Sequence, residues 1–412
     1  MRVQLTKFFI GSVAAQGIAA LAGLLIARWM NMDDYAVFTV MMIISGAMTV
    51  LTRGGVHLGF TAIVGRTWPN RIRAAQALSA AMAERRIVSL LVLPPLLLGA
   101  GWLLLRNNAT WVLTLSLLIL LLVQWEFDMR TRVVDQILMF ANRAPITQGL
   151  DTILSLFRFI GVVSLYYFSL LLPIGAFALS VIGAGLRVPF ITKWVRQELP
   201  KKVEKAIDDD RIEIRQITRR QLPLEVFIVL EAQIVLAILA WHSATDQTAA
   251  IGALFRIGQL LLPVQAVFNA FAIPRFSSLK VHVFRSWVFW SIAGGVPGVA
   301  LVVSAYFFPD LLLMLIGPNY SNLQYELLIC TIGVAATVCT RNAWELVAHR
   351  GWNYWAWLQI PVVLIWCATA PFFLDLSRLD QVLWFQAGFA LGLLAVVIVE
   401  LYAARRRGEL YS

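Results

Sequence analysis

Runs of about twenty apolar residues recur along almost the whole chain, separated by short polar breaks. A helix of about 20 residues is about 30 Å long, the thickness of a bilayer's hydrocarbon core. Within lipid each backbone N–H and C=O needs a partner from its own segment, so such runs are predicted to be membrane-spanning α-helices. Six are read at 8–27, 37–64, 87–105, 111–127, 148–168 and 170–192, and six more at 222–241, 249–272, 287–308, 325–347, 355–374 and 382–402. Over 412 residues, 60% hydrophobic and only 14% charged, this leaves no room for a large extramembrane domain and excludes a soluble enzyme. The predicted fold class is an all-α polytopic membrane protein of about 12 transmembrane helices.

An even number of spans puts both termini on one side. Cytoplasmic loops keep the excess of Lys and Arg. Of the 34 basic residues, Arg28, Arg106 and Arg378 fall on one side and five lie within spans, which leaves 26 on the other. Both termini are therefore read as cytoplasmic, and the net charge of +11 follows mostly from topology. No nucleic-acid-binding fold is left over for this charge to serve. The first span lacks a clear cleavage site and is read as retained.

Cys330, Cys339 and Cys367 stand in apolar runs without metal-ligand or redox spacing, and the four histidines are scattered. The sequence predicts no metal and no cofactor.

The longest polar stretch, 193–221, carries nine basic and six acidic residues with Ile207, Ile212, Ile214 and Ile217 among them. It reads as a cytoplasmic linker, either a solvated charged loop or in part a helix lying on the anionic leaflet. It divides the chain into two six-helix bundles, 1–206 and 207–412, a plan of transporters built from two parallel halves with a substrate path between them.

Four short stretches carry a family resemblance. They are Leu25-Ile26-Ala27-Arg28-Trp29-Met30-Asn31-Met32-Asp33-Asp34-Tyr35; Leu58-Gly59-Phe60-Thr61-Ala62; Phe255-Arg256 through Ala272-Ile273-Pro274-Arg275-Phe276-Ser277; and Leu311 to Tyr320, with Leu315-Ile316-Gly317 and Asn319-Tyr320. In order and in twelve-span layout the chain resembles the Wzx-type polysaccharide flippases of the multidrug/oligosaccharidyl-lipid/polysaccharide (MOP) exporter superfamily. Just before the Leu-Gly of the second helix, where that family often has an acidic residue, this chain has His57. The resemblance implies two bundles around a central cleft lined by helices 1, 2, 7 and 8. It also implies a cargo: an undecaprenyl-diphosphate-linked oligosaccharide, moved to the outer leaflet beside other proteins of surface-polysaccharide assembly. The same glycines and prolines also serve plain packing and helix ends.

A charge near the bilayer centre costs several kcal/mol unless it has a partner or a wet cavity, which makes the five arginines within spans informative. Arg187 is read as an anchor reaching the head groups, Arg341 as paired with Glu345 one turn on, and Arg158 as sharing a face with Asp151. Arg53 and Arg256 lie on corresponding helices of the two halves. A substrate site of Arg53, His57, Arg158, Arg256 and Gln259 follows, because guanidinium stays charged in low dielectric and offers forked donors to phosphate oxygens. Arg53 could instead reach the cytoplasmic head groups. Glu231, in the middle of span 7, is the candidate for coupling to protons or sodium. The competing readings are a multidrug-type cation-coupled exporter and a membrane enzyme of envelope glycan assembly. Among the longer outer stretches, however, 309–324 offers only Asp310 as a firm charge.

Overall fold

A computed structural model describes residues 2–106, 109–200, 205–242, 254, 255, 257–316 and 322–409. The described residues form helices and short connections, with no strand. They fall into two compact units, Met1–Thr218 and Arg219–Ser412.

In unit 1 the helices are α1 (Arg2–Trp29), α2 (Met32–Arg53), α3 (Val56–Thr67), α4 (Arg71–Arg106), α5 (Trp111–Thr131), the short α6 (Gln136–Phe140), α7 (Ala144–Tyr167) and α8 (Pro173–Glu198). Helix α9 (Asp208–His242) begins in unit 1 and runs into unit 2. Unit 2 continues with α10 (Leu262–Ser277), α11 (Val283–Phe307), α12 (Pro309–Ile316), α13 (Gln324–Ala348), α14 (Gln359–Thr369), α15 (Leu379–Ala387) and α16 (Ala390–Arg406). Among the described residues eight helices are long and apolar enough to cross a membrane, or nine if a bent pair is one span, and two shorter apolar helices cover Phe8–Gly23 and Ala356–Phe372. The polytopic all-α expectation is met.

The exposure pattern fits a bilayer. Leu98, Val112 and Met314 are 76%, 77% and 81% exposed. Soluble monomers rarely present apolar surface of this extent. Inside unit 1, Met41, Met48, Leu104, Leu117, Leu121 and Phe177 form a core joining α2, α4, α5 and α8. Inside unit 2, Leu254, Ile257, Leu313, Leu327, Val363 and Phe385 belong to the corresponding core.

The span read as 37–64 is broken. Gly54 (φ 47°) and Gly55 (φ 87°) both adopt the left-handed conformation, and the Gly54 N–H closes the end of α2 on the Val50 carbonyl. Only glycine takes two such residues at little cost. The two segments, Val37–Arg53 and Val56–Thr67, meet at 47°.

The reading of 193–221 as a linker needs correction. Helix α8 continues to Glu198, and α9 starts at Asp208 with three aspartates in its first turn, where the helix dipole favours negative charge. Ile214 and Ile217 are buried against protein and do not dip into lipid, while Ile212 is exposed. A Cβ on Gly59 would sit 3.0 Å from the Cα of Ile214, so the Leu-Gly motif of the second span is the place where α3 accepts α9. Ion pairs fix the contact. Arg66 pairs with Glu213, Arg73 with Asp210 at 2.9 Å, and the buried Glu84 of α4 takes Arg215 at 2.8 Å and Arg211 at 3.3 Å.

Candidate functional site: a charged cavity in the first bundle

Along α7, residues 148, 151, 155 and 158 recur at the three- and four-residue spacing of one helix face, and they read Gln, Asp, Ser, Arg. This polar face meets small residues on its neighbours, including Ala15 and Ala19 of α1, Gly46 of α2, and Gly183 and Ala184 of α8. Where large side chains would close the bundle, a cavity of about 690 Å³ remains. Its wall also carries Gln16, Ser45, Thr49, Gln124, Asp128, Arg132, Ser180 and Arg187. The volume lies within the range of small-molecule sites, roughly 300–1,000 Å³.

The charges are arranged in levels. At the end of α7 nearer its N-terminus, Arg187 of α8 donates to Asp135 at 3.0 Å and lies 3.5 Å from Asp151. Asp128 pairs with Arg132 at 3.3 Å and accepts a hydrogen bond from the Thr49 hydroxyl at 3.1 Å. One turn before Asp128 on α5, the Gln124 side-chain carbonyl accepts from the Ser45 hydroxyl of α2 at 3.1 Å. Behind this wall Arg85 of α4 is fully buried and donates from Nη1 to the carbonyls of Asp128 and Met129, at 2.9 and 3.2 Å. The Asp128 carbonyl also accepts the Arg132 N–H, so Arg85 adds a second donor there and serves Met129 near the C-terminus of α5, where the helix dipole favours a cation.

Arg158 is different. Seven residues beyond Asp151 on α7, it lines the cavity, forms no ion pair among the described residues, and its Nε has no hydrogen-bond partner. Gln16 Oε1 and Ser180 Oγ, on the same cavity wall, are buried without partners as well.

The sequence-predicted residues are thus dispersed. Arg158 belongs to the cavity. The expected sharing of Asp151 with Arg158 is corrected, because Asp151 turns to Arg187, and Arg187 is an internal ion-pair partner with a side chain only 14% exposed, not a head-group anchor. Arg53, the last residue of α2, is half-buried and its charge acts on Arg85; it does not line this cavity. His57 is buried in α3, one turn before Thr61, whose hydroxyl lies 2.7 Å from both the His57 carbonyl and the Gln136 side-chain amide. Arg256 lies outside the described residues, as do Gly317, Asn319 and Tyr320 of the fourth motif.

In unit 2, Gln259 lines a smaller cavity of about 260 Å³ with Gln386, Thr337 and apolar side chains, and among the described residues no charged one is in its wall. Glu231 is half-buried on α9, within reach of the charge of Arg341. Arg341 faces Glu345 at 3.9 Å as expected, and His349 Nε2 lies 3.3 Å from the same carboxylate. Sequence reasoning missed Asp128, Arg132, Asp135 and Arg85, which sit at or near the ends of apolar runs and read as loop charges. Their signal was the density of charge, four residues between Asp128 and Asp135, on a segment too short to leave the membrane-facing bundle. Among the described residues no group of three His, Cys, Asp or Glu gathers as a metal site.

An apolar-surfaced bundle of helices with a charged cavity among them is the plan of a polytopic membrane protein. Among the solved structures it resembles are a point mutant of the Vibrio cholerae MATE transporter VcmN (TM-score 0.78, 15% identity, 98% of this chain and 96% of that one) and an outward-facing multidrug resistance MATE transporter of the MOP superfamily (TM-score 0.69, 14% identity, 98% and 95%). A MOP superfamily transporter from Pyrococcus furiosus, described by a reversed polarity of its binding pocket, matches at TM-score 0.69 with 13% identity over 98% and 95%. The chain therefore has the MATE transporter fold. No family model and no curated protein matches the sequence.

Proposed function

We propose that the protein is a flippase that moves an undecaprenyl-diphosphate-linked oligosaccharide across the bacterial inner membrane for surface-polysaccharide synthesis. In this reading both termini are cytoplasmic, the polyprenyl tail stays in lipid, and alternating access carries the polar part through the bundles. The observation that carries the reading is Arg158, a guanidinium within a span that lines the cavity of about 690 Å³ and has no carboxylate partner among the described residues. Exporters of cationic drugs need carboxylates for their cargo, whereas an unpaired arginine calls for an anion. The four stretches resembling Wzx-type flippases support the same cargo. Arg53, His57, Arg256 and Gln259 complete the proposed substrate path, and Glu231 is the proposed coupling group.

The test is accumulation of lipid-diphosphate-linked oligosaccharide on the cytoplasmic face in a deletion strain. Wild type is expected to relieve it, and Arg53→Ala and Arg256→Ala to relieve it poorly. A deletion strain without accumulation refutes the flippase reading. Rescue by both variants makes those two arginines anchors.

The multidrug-type exporter is favoured by a separate observation, the carboxylates of Asp128 and Asp151 in the cavity wall. On that reading the protein confers efflux of cationic dyes, and Asp151→Asn abolishes it.

A further inference from the structure

We propose that the cavity of the first bundle is a sugar subsite specific for an acidic sugar, with Arg158 holding its carboxylate. The proposal deepens the flippase reading and rests on it, because it names the chemistry of one residue in the cargo's glycan.

Charge balance separates a sugar carboxylate from a phosphate. The two arginines at the lower level are already engaged, Arg132 by Asp128 and Arg187 by Asp135 and Asp151. A diphosphate entering there would meet two carboxylates in the wall, Asp128 and Asp151, and no uncommitted cation among the described residues. Among the described residues of the wall one uncommitted guanidinium remains, Arg158, and one negative charge matches it. Its forked donors suit a carboxylate.

The rest of the wall suits hydroxyl groups. Seven residues of helix place Asp151 about 10 Å from Arg158 along α7, enough to keep its charge away from a carboxylate bound at Arg158. Carboxylate oxygens accept hydrogen bonds from sugar hydroxyls, and Asp151 is the carboxylate most open to the cavity, its side chain 34% exposed. Gln16 Oε1 and Ser180 Oγ are polar atoms with no partner among the described residues, a state that is costly in a bundle interior unless a ligand or water completes it. The cavity's volume of about 690 Å³ accommodates more than a single ring.

The test uses the full chain in lipid nanodiscs, with three probes: a disaccharide containing glucuronic acid, its neutral glucose counterpart, and inorganic pyrophosphate. Binding is read by ligand-dependent thermal shift and by titration. The acidic disaccharide is expected to bind at least tenfold more tightly than the neutral one, and pyrophosphate to leave its binding unchanged. Arg158→Gln should abolish the preference and Arg158→Lys keep part of it, with melting of each variant without ligand confirming that it folds. Equal binding of the two disaccharides, their unchanged discrimination in Arg158→Gln, or displacement of the acidic one by pyrophosphate overturns the proposal. Failure of the flippase reading is seen elsewhere, in the absence of lipid-linked oligosaccharide accumulation in the deletion strain.

Discussion

Arg187 donates to Asp135 across 3.0 Å although 52 residues separate them in sequence, and the same guanidinium lies 3.5 Å from Asp151. One cation therefore neutralises two carboxylates from different helical segments inside the bundle. Such a group differs from a surface ion pair because removing its centre leaves charges that lipid cannot solvate.

Arg187→Ala is accordingly expected to destabilise the protein by about 3–5 kcal/mol, the usual effect of orphaning a buried charge. Asp135→Asn introduced together with Asp151→Asn on that background should recover much of the loss. Unfolding in detergent, followed by tryptophan fluorescence, measures both; additive effects would show that the three side chains do not act together.

Arg158 carries the opposite expectation. Its charge is buried with no carboxylate among the described residues to offset desolvation, so Arg158→Met should leave stability unchanged or raise it by up to about 2 kcal/mol while removing function. A clear fall in thermal stability would reveal a partner for the guanidinium in the unliganded protein.

Glu84 holds Arg211 and Arg215, both partly open to solvent. Glu84→Gln should loosen the first turns of α9 at a cost of about 1 kcal/mol. Amide exchange in residues 208–218 is then about fivefold faster, with little change in α7 or α8. Exchange as slow as in wild type would mean that the packing of Ile214 against Gly59 suffices.

At Gly55 the backbone has φ 87°, where a Cβ is strained. Gly55→Ala is expected to cost about 1–2 kcal/mol and Gly55→Asn less, since Asn tolerates left-handed geometry better. Thermal unfolding of the two variants side by side checks the order.

Glu231→Gln tests coupling directly. If the carboxylate exchanges protons during transport, the variant's rate in membrane vesicles becomes independent of an imposed pH gradient. A dependence equal to that of wild type removes Glu231 from the mechanism.

The membrane-spanning character was legible because lipid imposes length and apolarity on each segment separately, without reference to its neighbours. The break in the second span was present as Gly54-Gly55 but was read through, since a bend and a straight helix share the same hydropathy. Charge partners were less legible. The face shared by Asp151 and Arg158 was correct as periodicity, yet Arg187 from the adjacent helix approaches Asp151 more closely than a side chain two turns away. In the same way Ile214 and Ile217 looked like lipid-seeking residues because sequence shows an apolar face but not what covers it. Arg341 and Glu345 were readable because both belong to one helix turn.

The boundary between the compact units, after Thr218, falls inside α9 and not in a loop. The first turns of that helix are held by α3 and α4, while the residues after them count with the second unit. A gene split at the boundary would thus sever a helix and strip one fragment of its clasp. A split placed upstream, between Glu198 and Asp208, would leave α9 whole on the second fragment, carrying Asp210, Arg211, Glu213 and Arg215 as a ready-made recognition tag for the first. Two separately synthesised pieces divided there should find each other and reassemble, whereas pieces divided at the boundary should not.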